Sequence, residues 1–66
     1  MFLPSGSIFL VKFDGTEESC ECIDIGSYSD FVDEVDDLLK YYGTTRDSYL
    51  GAKYYYKKDL VYDLKF

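Results

Sequence analysis

Phe31, Val35, Leu38, Leu39 and Tyr42 recur at i, i+4, i+7, i+8 and i+11, one apolar stripe at helical period. Ser27 or Ser29 can cap its start by accepting from a free backbone N–H, and Gly43 suits the left-handed position after the last turn. A helix of this kind must bury its stripe on something. In a chain of 66 residues the flanking segments have to supply that surface, and they read as strands.

"SIFLVKF" (7–13) alternates, with Phe9, Val11 and Phe13 on one side and Ile8, Leu10 and Lys12 on the other. "DGTEES" (14–19) is turn chemistry, since Asp-Gly supplies positive φ. "CECIDI" (20–25) is a second strand whose alternation slips near Ile23, and a bulge there returns Ile23 and Ile25 to the core face. After the helix, "TTRDSYLG" (44–51) is a connection with room for one helical turn. "AKYYYK" (52–57) is a strand, with Tyr54 and Tyr56 facing the helix and Tyr55 opposite. "KD" (58–59) turns the chain. "LVYDLKF" (60–66) then places Leu60, Tyr62, Leu64 and Phe66 inward. The expectation is a single domain over 1–66 of class α+β, a small ββαββ unit with one helix on a face of an antiparallel sheet.

Such a chain hides a smaller share of its surface than a larger domain, so its stability is modest. Its composition, 47% hydrophobic and 20% aromatic, is nevertheless too apolar for a disordered tail. Cys20 and Cys22 would share a strand face, where a bridge between them is strained, so they make no disulfide framework and point to a reducing compartment. "MFLPSGSIFLVKFDG" has no basic leader region and only short apolar runs. The expected location is cytoplasmic, in the host cell if the chain is phage-encoded.

Asp30, Asp33, Glu34, Asp36 and Asp37 fall on the helix face opposite the apolar stripe. A solvated face is the ordinary explanation, and the helix dipole favours acids in the first turn. It does not favour Asp36 and Asp37. Like charges one turn apart cost a few tenths of a kcal/mol each, and a merely solvated helix mixes signs. Residues 1–39 carry −9 and residues 40–66 carry +3, for a net charge of −6. That balance argues against binding nucleic acid over the whole surface, because phosphates need Lys and Arg. It suits a basic protein partner instead. Glu17, Glu18 and Glu21 extend the acidic surface if the first hairpin lies beside the helix.

"EES" followed by a short strand and then "DFVDEVDDLL" resembles the uracil-DNA glycosylase inhibitors of phages. In that family a Glu-Ser-Ile strand enters the enzyme's DNA groove, and an acidic helix beside it helps form an apolar pocket. The resemblance implies that role for Glu18 and Ser19, with Val32 and Val35 as pocket residues. It covers about twenty residues. Cys20 stands where the family has Ile, and the family's additional amino-terminal helix has no counterpart here. More loosely, the chain resembles small acidic phage proteins that block host defences, anti-CRISPR proteins among them.

Other readings follow from other residues. Tyr54, Tyr55 and Tyr56 offer a second interface, for a homodimer or assembly module in which the acids serve solubility. Lys53, Lys57 and Lys58 beside them allow stacking on single-stranded nucleic acid, opposed by the acidic half. Two cysteines without His or a second pair are an incomplete zinc site, and "DGTEES" lacks the ligand spacing of an EF-hand. With no His, no phosphate loop and no nucleophile beside an evident base, no enzyme activity, cofactor or metal is expected. The expected function is a non-enzymatic inhibitor that mimics DNA. It would bind the basic DNA-binding surface of a host DNA-repair glycosylase or defence nuclease through Glu17, Glu18, Ser19, Glu21, Asp30, Asp33, Glu34, Asp36 and Asp37.

Overall fold

The computed structural model describes residues 4–66. Strands β1 (Gly6–Val11) and β2 (Glu17–Cys22) form a hairpin. Helix α1 (Tyr28–Tyr41) follows, then a 3-10 turn (Arg46–Ser48) and a second hairpin of β3 (Gly51–Tyr56) and β4 (Asp59–Lys65). All pairings are antiparallel and the strand order is β2-β1-β3-β4. The chain is therefore a ββαββ α+β domain, with its first and third strands central and α1 covering one face.

The helix boundaries follow from local chemistry. Ser27 is the cap: its Oγ accepts from the Asp30 N–H at 3.2 Å. Gly43 leaves the helix at φ +69°, where a side chain would be strained. Phe31, Val35, Leu38 and Leu39 are buried against Ile8 and Leu10 of β1 and Ala52 and Tyr54 of β3. Tyr42, the last member of the stripe, is 47% exposed and uses its hydroxyl instead, donating to the Cys20 carbonyl at 3.3 Å. At the other end Tyr28 and Phe31 meet Tyr62 of β4, with ring centroids 5.7 and 5.5 Å apart. The helix thus reaches across the sheet from one edge strand to the other.

Tyr54 is the largest fully buried side chain. Its hydroxyl donates to the Ile23 carbonyl at 3.0 Å and accepts from the Ile25 N–H at 2.9 Å. It occupies the space beside Gly6, where a Cβ would overlap it. Asp24 completes this corner, accepting the Ser5 and Gly6 amides at 2.8 and 3.0 Å. These bonds hold 23–25 in place without strand pairing.

Several expectations shift accordingly. Strand β2 begins at Glu17 and ends at Cys22, so 17–19 are strand rather than turn. Lys12 and Phe13, expected in β1, belong to the connection. The bulge lies at Cys20, not Ile23: Ile8 pairs with Glu21 and Phe9 with Ser19, leaving Cys20 as the additional residue. Cys20 therefore packs on the helix side while Cys22 pairs with Ser7 on the other face, so the two thiols diverge. A second bulge at Val61, between the Tyr54–Tyr62 and Tyr55–Leu60 pairs, turns Leu60 away from the helix. Phe66, expected inward, is 36% exposed.

Candidate functional site: an acidic cleft between helix and edge strand

The register of β1 and β2 decides which of the first hairpin's acids join those of α1. Glu21 pairs with Ile8 and shares its helix-side face. There it meets Glu34 and Asp37 in a cleft of about 350 Å³. Cys20 and Leu38 also line this cleft, together with Tyr41 and Tyr42, whose rings stand 5.4 Å apart in an edge-on arrangement. Three carboxylates from two elements thus surround an apolar and aromatic hollow.

Its electrostatics are unfavourable in the isolated chain. A hydrogen bond with Glu21, then burial, then the charges of Glu21 and Asp37 hold the Glu34 carboxyl above the usual carboxylate range. The buried Glu21 Oε2 has no donor among the described residues when both carboxyls are ionised. A proton retained on Glu34 and donated to Glu21 satisfies both observations. Burial also pushes the Cys20 thiol up, which keeps it protonated, and its Sγ donates to the Glu18 carbonyl at 3.3 Å.

The remaining acids have different fates. Asp30 sits in the first turn, where the helix dipole favours it. Asp33 and Asp37 are exposed and make no ion pair among the described residues. Asp36 is not free: Arg46 Nε and Nη2 donate to its Oδ1 at 3.0 and 2.9 Å, and Nη2 to its Oδ2 at 3.1 Å. The Arg46 guanidinium also lies over the Phe66 ring, 5.4 Å from its centroid. Glu18 is on the helix-side face with Leu10 but pairs with Lys12 at 3.1 Å.

Glu17 departs from the expected surface. It pairs with Val11 on the opposite face of the sheet, where it accepts from Lys53 Nζ and from the Tyr55 hydroxyl, each at 2.9 Å. Lys53 first and Tyr55 second hold its carboxyl below the usual range. Ser19, across from Phe9, lies on that face as well. The hairpin does lie beside the helix, yet it contributes only Glu21 and the paired Glu18 to the acidic side.

The tyrosine triplet also divides. Tyr54 belongs to the core and is excluded from any interface. Tyr55 faces away from the helix, in edge contact with Phe9 at 5.3 Å. Tyr56 was expected under the helix but is 37% exposed, with Lys57 Nζ 5.6 Å from its ring centroid. Val35, matched to a pocket residue by the family resemblance, is fully buried in the core, whereas Val32 is partly exposed.

Tyr41, Tyr42 and Leu38 as cleft walls escaped the sequence reading. The one available signal was a Tyr pair at the end of a helix whose last turn needed only one inward residue. Among the described residues no group of three or more His, Cys, Asp or Glu is placed to hold a metal ion, and no helix is long and apolar enough to cross a membrane. No family model, curated protein or solved structure matches the chain.

Proposed function

We propose that this chain is a non-enzymatic inhibitor that occupies the basic, DNA-binding surface of another protein, presenting the carboxylates of α1 and Glu21 where DNA would present phosphates. The class of target is a DNA-repair glycosylase or a defence nuclease, and the setting is the cytoplasm, that of a host cell if the chain is phage-encoded.

One observation carries this reading: Glu21 is set against Glu34 and Asp37, with a buried oxygen that no basic side chain among the described residues reaches. Lys12 goes to Glu18 and Arg46 to Asp36, and Lys40 in the last turn of α1 makes no ion pair among the described residues. A domain with little stability to spare retains repulsion in one place. An arginine or lysine entering from a partner supplies the missing donor and stacks on Tyr41 or Tyr42, an attraction worth about 0.5–2 kcal/mol. The exposed acids around the cleft act at longer range, speeding encounter with a basic groove more than they hold the complex.

The test is capture of a partner from host lysate on the immobilised chain, followed by competition on the purified partner. The reading requires that the chain displace a labelled DNA duplex. A captured partner that binds duplex and chain simultaneously overturns it.

A further inference from the structure

The uncovered face of the sheet has a different electrical character from the helix side. Phe9 and Val11 of β1, Tyr55 of β3 and Leu60 of β4 form its apolar part, and Leu60 is 49% exposed. The charges among them are Glu17, Lys53, Asp63 and Lys65, placed there by pairing with Val11, Phe9, Lys53 and Gly51 respectively. These four sum to zero, and Lys57 and Lys58 of the β3–β4 turn border them beside Phe9, Glu17 and Tyr55, in a chain whose net charge is −6. The excess negative charge therefore lies off this face, including the five acids of α1.

We propose that this face is the contact between two copies of the chain, stacked sheet on sheet, with both acidic helices turned outward. The proposal does not depend on what α1 binds. Two helix faces of like charge repel, so the face that carries no excess of carboxylates is where a second copy approaches without that penalty. Its alternation of sign lets Lys65, and Lys53 with the Glu17 it already holds at 2.9 Å, face carboxylates of the other copy. Its size agrees. Four strands at about 4.8 Å spacing and six residues at about 3.3 Å give roughly 400 Å² per copy in projection. The relief of the side chains adds to that, which places the contact at the weak end of specific interfaces and makes the dimer concentration-dependent. Aligned packing of twisted sheets at about 30° is the geometry such faces adopt.

Sedimentation equilibrium from about 10 μM to about 1 mM, the range a contact of this size calls for, tests it with Lys53→Glu and Tyr55→Ala. Lys53→Glu changes the sum of the four strand charges on each face from 0 to −2 and lies on an inner strand, so it leaves both sheet edges as they are. The wild type should pass from 7.7 kDa to twice that mass. Both variants should need at least about tenfold more protein to do so, while Asp33→Asn on the helix should not weaken association. Circular dichroism confirms that each variant folds, and Lys53→Glu alone decides if Tyr55→Ala does not. A wild type that stays at 7.7 kDa throughout overturns the proposal. So does a dimer that keeps its strength in either folded variant, because the contact is then an edge pairing or lies elsewhere.

Discussion

Glu34 of α1 and Glu21 of β2 are brought together by folding, and the contact holds the Glu34 carboxyl above its ordinary pKa. The folded chain therefore keeps a proton on this group at pH values where the unfolded chain has lost it. Stability falls as pH rises from the ordinary carboxylate range through the raised value, and the penalty is complete above it. Glu34→Gln removes this dependence. Urea unfolding from pH 4 to pH 7 should show the wild type losing stability relative to Glu34→Gln as pH rises. Glu17 and Asp14, whose carboxyls are held below the usual range, act in the opposite sense in both proteins, so the difference between the two is the measurement. A constant difference across this range means that Glu34 does not retain its proton in the fold.

Tyr54→Phe should destabilise the domain by about 1–3 kcal/mol, because the Ile25 N–H and Ile23 carbonyl lose their partner in a half-buried corner. Gly6→Ala should cost at least as much. Its methyl group takes the place of the same hydroxyl and displaces the ring from the core. Chemical denaturation measures both. If Gly6→Ala costs less than Tyr54→Phe, the ring has room to move and the corner is looser than it looks.

Lys57 and Lys58 join β3 to β4 with φ of +49° and +74°, a two-residue hairpin turn that ordinarily takes Asn-Gly. Neither lysine is suited to the left-handed region. Lys58→Gly should stabilise the domain by about 0.5–1 kcal/mol, the relief of strain partly offset by the additional freedom of glycine in the unfolded chain. An unchanged unfolding midpoint would mean that the turn already relaxes to another conformation.

Where side-chain type and local spacing determine the outcome, the fold is readable from the chain. The stripe from Phe31 to Leu39, the Ser27 cap and the Gly43 exit together delimit α1. Bulges are harder to read, because the residue that leaves the ladder need not advertise it. Cys20 is small enough for either face, and Leu60 and Val61 are equally apolar, so simple alternation puts Leu60 on the wrong side. Choosing Tyr54 among three tyrosines depends on the missing side chain of Gly6, nearly fifty positions away. The acidic face of α1 is evident in the spacing, but the partners of its charges are not. Asp36 and Arg46 are ten positions apart, and nothing in their neighbourhoods announces the clamp. Glu21 meets Glu34 only because the Cys20 bulge turns both residues toward the helix.

The clamp on Asp36 makes the role of the acidic face testable in both directions. Asp33→Asn, Glu34→Gln and Asp37→Asn together change the net charge from −6 to −3 and leave the Arg46–Asp36 pair intact. If the face only keeps the chain soluble, partner binding is unchanged. Stability then rises by at least a few tenths of a kcal/mol, since the Asp33–Asp37 and Asp30–Glu34 repulsions, each one turn apart, are relieved together with that between Glu34 and Glu21. If the face steers the chain into a basic groove, the triple variant associates more slowly and with a shallower salt dependence, because screening acts on fewer charges. Arg46→Gln does the reverse: it frees Asp36 and changes the net charge to −7. Arg46 and Asp36 are both about half exposed, so the stability lost with the ion pair stays within about 1 kcal/mol. Stopped-flow association with the captured partner should rank Arg46→Gln fastest, the wild type next and the triple variant slowest, the order converging at high salt. Equal rates for all three would assign these carboxylates to solvation alone and leave the cleft between Glu21 and Tyr42 without a ligand.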